Sequence, residues 1–134
     1  MRVRCVSNVG SVLPVAARDE AAGIGSDTVF PLTTGSEYVV HAITTFRGHC
    51  WFFVFDDDGA TYPVWKPAAL FDVADPAIPS SWVFGYVRRP GRDEYPVISF
   101  PEWALDRFFY ERLVDGDAEA VATMEQRRSE SNEE

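Results

Sequence analysis

A chain of 134 residues with 46% hydrophobic and 14% aromatic residues can pack one domain without a metal or disulfide to staple it. Its formal net charge of −9 excludes nonspecific binding to nucleic acid or to an anionic membrane, since both need clustered cations to displace counter-ions, and it favours a basic partner instead. No run reaches about 18 uninterrupted apolar residues, so no membrane span is expected. The start, Met1-Arg2-Val3-Arg4-Cys5, lacks the apolar stretch and small-residue cleavage site of a secretory signal, so a cytoplasmic chain is expected.

Arg2 to Val6 alternates polar and apolar residues and predicts a first strand with Val3 and Cys5 facing inward. Ser11 to Asp27 is rich in Ala, Gly and Ser and reads as a long loop with a short helical turn near Ala16–Ala22. The runs Tyr38–Arg47 and His49–Phe55, β-branched and aromatic, flank Gly48, and Asp56-Asp57-Asp58-Gly59 closes them. They predict two central antiparallel strands. Trp51, Phe53 and Phe55 point one way and Phe52 and Val54 the other, so the second strand should be covered on both faces.

A third strand follows over Ala60–Trp65, placed at an edge by Pro63. A tight turn at Lys66–Phe71 and a short strand at Phe71–Val73 come next. Trp82–Arg88 and Tyr95–Phe100 form a second hairpin around a polar tip, Arg89–Glu94. Ser99, Pro101 and Glu102 have the spacing of a capping box, and Leu105, Phe108, Phe109 and Leu113 recur at helical spacing. A second, weaker helix runs through Ala118, Val121, Ala122 and Met124. One domain over residues 1–124 is expected, with a charged, frayed tail over 125–134.

The chemistry-bearing residues are few. Asp56–Gly59 does not fit a calcium loop, because the first and twelfth ligand positions would be Val54 and Trp65. His41, His49, Cys5 and Cys50 lack zinc-ligand spacing, and His49 and Cys50 face opposite sides of a strand. Both cysteines sit in apolar runs and read as buried thiols. No nucleophile motif and no phosphate loop occurs, so no catalytic residue, metal or cofactor is expected. Arg88, Arg89 and Arg92 are the only basic cluster and have Asp93 and Glu94 beside them, which reads as a solvated tip. The candidate binding residues are Asp56, Asp57, Asp58, Tyr62, Trp65 and Lys66. A tryptophan held between Pro63 and Pro67 is rigid and costs little entropy to place in a contact.

Arg2–Asn8, Gly35–Val40, Asp57-Asp58-Gly59, Pro63-Val64-Trp65-Lys66-Pro67 and Leu70–Val73 occur in that order. The arrangement resembles small bacterial proteins with an SH3-like barrel, some of which serve as immunity proteins encoded beside toxins. The resemblance covers roughly the first eighty residues and carries no catalytic signature. It implies an SH3-like, partly open antiparallel barrel of five to six strands, here with two C-terminal helices, in a β-rich α+β domain. Together with the acidic balance, the missing catalytic motif and the rigid Tyr62–Pro67 segment, it points to a protein-binding role, as an immunity-type inhibitor of a basic toxin domain. The alternatives are a regulatory or scaffold subunit binding a peptide or protein through the same face, and, third, a small enzyme. The expected core is Val3, Cys5, Tyr38, Val40, Ile43, Trp51, Phe53, Phe55, Leu70, Phe71, Phe84, Val97, Leu105 and Phe109.

Overall fold

The computed structural model describes residues 1–19 and 23–133, with backbone alone for 132 and 133. The chain is a mixed α+β protein. The strands are β1 (Arg2–Cys5), β2 (Glu37–Val39), β3 (Ala42–Phe46), β4 (His49–Val54), β5 (Val64–Pro67), β6 (Phe71–Asp75), β7 (Val83–Val87) and β8 (Tyr95–Ser99). Three helices follow: α1 (Pro101–Ala104), α2 (Phe109–Val114) and α3 (Ala118–Glu133). The strands form two antiparallel sheets, one of three in the order β2-β1-β6 and one of five in the order β5-β4-β3-β8-β7. Among the described residues no barrel closes, and the expected five or six strands and two helices are exceeded. No described helix is long and apolar enough to cross a membrane.

The larger strand count has a local cause. The apolar run from Tyr38 is not one strand. It leaves the small sheet after Val39, bends at Val40 and His41, and enters the large sheet at Ala42. Backbone bonds hold the bend from both sides: Val40 N–H donates to Met1 O at 3.1 Å and His41 N–H to Phe53 O at 2.9 Å. Val40 therefore belongs to one core and Ala42 to the other.

The large sheet divides those cores. The small sheet covers one of its faces, where Val3, Cys5, Tyr38, Leu70 and Phe71 meet Phe52 and Val54. The helices cover the other face, where Trp103, Phe109, Leu113 and Met124 meet Ala42, Val97, Phe53 and Phe55. Strand β4 thus contributes alternate residues to two cores, as its unbroken apolar run predicts. Helix α1 lies so close to β7 that a Cβ on Gly85 would fall 1.6 Å from Ala104 O.

Several residues depart from expectation. Phe84 is 63% exposed, because β7 is the far edge of the large sheet and the small sheet reaches only as far as Ile43. Leu105 is 69% exposed, because α1 stops at Ala104 and breaks the helical spacing before α2 begins. Phe100, not Ser99, caps α1, and it does so without a side-chain bond. The Ser99 hydroxyl instead donates to His41 O at 2.6 Å inside the protein. Cys5 is buried but Cys50 is exposed, and both are free thiols. Burial pushes both thiols up from their ordinary pKa, so neither is an activated thiolate.

The long loop holds 3-10 turns at Gly10–Val12 and Val15–Ala17. The rest of the helical turn expected near Ala16–Ala22 falls partly on residues 20–22, outside those described. Helix α3 continues through the stretch that composition marks as a frayed tail. Arg127 of α3 makes a two-pronged ion pair with Glu102 of α1, the shortest contact being 2.7 Å. Arg128 lies over the Phe55 ring at 3.6 Å. Both contacts fasten the last turns of α3 to the body.

Candidate functional site

The β3–β4 hairpin turns at Arg47 and Gly48, both with positive φ, at 51° and 79°. This tight turn pairs Phe46 with His49 and Thr44 with Trp51, so Phe46, His49 and Trp51 share one face. On the other side of β4, Trp65 stands opposite Phe53 and Pro67 opposite Trp51. The Trp65 and Trp51 rings stack with centroids 4.5 Å apart, and Phe46 closes on Trp65 at 5.6 Å. Trp51 is buried, and its Nε1 donates to Phe46 O at 3.5 Å. Trp65 remains 38% exposed, and among the described residues its Nε1 has no hydrogen-bond acceptor.

The long loop supplies a facing wall. Ala17, Arg18 and Ile24 bound a recess of about 70 Å³ against Phe46, Trp51 and Trp65. The Arg47–Asp19 ion pair, 3.3 Å, ties the hairpin tip to this wall. The result is an aromatic ledge with a small, largely apolar recess between the β5 edge of the large sheet and the long loop.

The six residues singled out from the sequence are divided by the fold. Trp65 forms the ledge. Lys66, next in sequence, points to the opposite face. Its ammonium meets Asp56 Oδ2 at 2.9 Å, with side-chain exposures of 8% and 3%. These two charges are turned inward on each other. Asp57 also acts as a latch: its carboxylate accepts from the Tyr38 hydroxyl at 2.8 Å and the Thr33 hydroxyl at 2.7 Å. Asp58 is exposed. Tyr62 packs edge-on to Tyr110, 6.2 Å away, and Tyr110 donates its hydroxyl to Pro63 O at 2.8 Å. The turn before Trp65 is therefore pinned to α2, and burial pushes the Tyr110 phenol upward in pKa.

Sequence reasoning passed over Phe46, Trp51 and the loop wall. The signal for the first two was present: a two-residue turn at Arg47 and Gly48 fixes which side chains share a face. The loop carried no such signal, because its position depends on contacts distant in sequence.

Elsewhere, His41 adjoins a hollow of only about 20 Å³, and no three described His, Cys, Asp or Glu side chains form a group able to hold a metal. Comparison with protein-family models, curated proteins and solved structures finds no match for the chain.

Proposed function

We propose that the chain is a protein-binding module that docks through the Trp65 ledge. The observation carrying this reading is the Trp65 indole itself: 38% exposed, backed by Trp51, and with an Nε1 donor that no other described residue accepts. An anchor already fixed in place loses little entropy on binding, and tryptophan is among the side chains that most often dominate interface energy. The recess beside it can receive a small aliphatic side chain from a partner.

The charge of the chain supports a basic partner. A net charge of −9 with exposed acids such as Asp58, Asp72 and Asp75 raises association rates with a cationic domain, an effect that shrinks with salt. In its most specific form the reading is a cytoplasmic immunity-type inhibitor that binds a basic toxin domain. The resemblance to small SH3-like barrel proteins of that kind supports it. Trp65 and Asp58 are then the contact residues, while Asp56, Asp57, Tyr62 and Lys66 hold them in place.

The test is co-expression with the product of the neighbouring toxin reading frame. Protection from the toxin, and a complex that weakens as salt rises, is the expected result. Trp65→Ala should weaken that complex by at least about 2 kcal/mol, roughly thirtyfold, without unfolding the chain. No protection and no complex at low salt would end this reading.

A further inference from the structure

The arginine tip read from sequence as a solvated turn is more organised than that. Arg89-Pro90-Gly91-Arg92 is a tight turn in which Arg92 N–H donates to Arg89 O at 2.9 Å. Pro90 sits at the second position and Gly91, with φ +72°, at the third, the arrangement a type II turn requires. Such a turn holds its first and fourth residues within about 7 Å. The Cα atoms of Arg89 and Arg92 are therefore close together on a backbone support with little freedom.

A third arginine arrives from a different element. Arg107, between α1 and α2, donates from Nη1 to Arg88 O at 3.2 Å, and its guanidinium lies over the Phe108 ring at 4.6 Å. Arg88 is likewise over Tyr86, at 5.8 Å. Arg89, Arg92 and Arg107 line one hollow of about 330 Å³, with Pro90, Phe108 and Glu111 as its remaining walls. Among the described residues none of these four arginines makes an ion pair, which they share with Arg2, Arg18 and Arg128, whereas Arg4, Arg47, Lys66, Arg112 and Arg127 all do. The nearby Glu94 carboxylate accepts from the Tyr86 hydroxyl at 3.2 Å. Glu111 is the one carboxylate in that lining, so three guanidinium charges there face a single negative charge, and an added anion relieves their repulsion.

We propose that this hollow binds a phosphomonoester: a compact oxyanion carried on an organic group that packs against Phe108 and Pro90. Guanidinium forks match phosphate oxygens in pairs, and two carried on one turn with a third lining the same hollow can grip a single tetrahedral group. The space exceeds a bare phosphate, which leaves room for the carrier. A polyanion such as nucleic acid fits poorly, because it would run onto a body of net charge −9 and needs a cationic track longer than one turn. The carrier is either a free small molecule or a phosphorylated side chain of a protein. The site stands independently of the Trp65 ledge.

The experiment is a titration of the isotope-labelled chain, followed by amide chemical shifts. The probes are phenyl phosphate, inorganic phosphate, a neutral phosphoserine peptide with its unphosphorylated twin, and a single-stranded oligonucleotide. Phenyl phosphate should give saturable shifts at Gly91, Arg92 and Phe108, with a dissociation constant of ~1 mM or tighter. Arg92→Ala and Arg107→Ala, both at exposed positions, should each weaken it about tenfold. Arg4→Ala, on the small sheet, should leave it unchanged. A phosphopeptide that binds more tightly than phenyl phosphate, with a silent twin, assigns a protein-borne ligand; the reverse order assigns a free ester. Absence of saturation by about 10 mM, equal weakening by Arg4→Ala, or tighter binding of the oligonucleotide would overturn the proposal.

Discussion

His41 lies at the bend where the chain passes from one sheet to the other, and it is 3% exposed. Its ring meets Phe55 edge-on at 5.2 Å. Burial first, then the positive charges of Arg128 and the chain's amino terminus, lower its pKa from 6.5 to about 4. The folded chain therefore keeps the imidazole neutral, while the unfolded chain takes up a proton below 6.5. The stability this confers is complete above pH 6.5 and is lost as pH falls towards 4, to an extent of up to about 3 kcal/mol. Urea unfolding followed across that range should show the decline, and His41→Leu should flatten it. An unchanged slope in the variant would assign the acid sensitivity to carboxylates alone.

Strand β5 shows how an element assigns roles that residue type alone does not. Trp65 and Lys66 are neighbours, but strand alternation turns the indole to the ledge and the ammonium to Asp56. The Asp56–Lys66 pair is buried, so removing one partner strands the other charge. Lys66→Met should cost about 3–5 kcal/mol in urea unfolding, and the double variant Asp56→Leu/Lys66→Met should recover most of it. A double variant as unstable as the single would show that the two charges act separately. The arginine tip makes the same point: three arginines were visible in sequence, but Arg107 joins them only because Gly85 lets α1 lie against β7.

At the scale of the molecule, the two cores share one wall. Phe52 and Val54 face one side of β4, Phe53 and Phe55 the other, so neither core can open without disturbing the strand that closes the other. Unfolding should therefore be a single transition. Tryptophan fluorescence and far-UV circular dichroism should give coincident urea midpoints. Val54→Ala and Phe109→Ala, one in each core, should both lower that shared midpoint, the second through a stability loss of about 3–5 kcal/mol. Two resolved transitions in either variant would show that the cores are separable.

Much of the secondary structure was legible in local pattern. Val3 and Cys5 alternate inward on β1, Gly48 and the Asp58-Gly59 turn bound β4, and Trp82–Phe100 folds into a hairpin, because each depends on residues a few positions apart. The same pattern found Trp65 but not its setting. What the tertiary structure alone decided is which surface each element meets: that the run through Val40 and His41 splits between sheets, that Phe84 and Leu105 lie outside the cover of either core, that Lys66 pairs with Asp56, and that the loop around Ala17 and Ile24 walls the ledge. Periodicity fixes the direction of a side chain relative to its own backbone. Whether it is buried depends on the reach of a neighbouring layer, and that is set by contacts tens of residues apart.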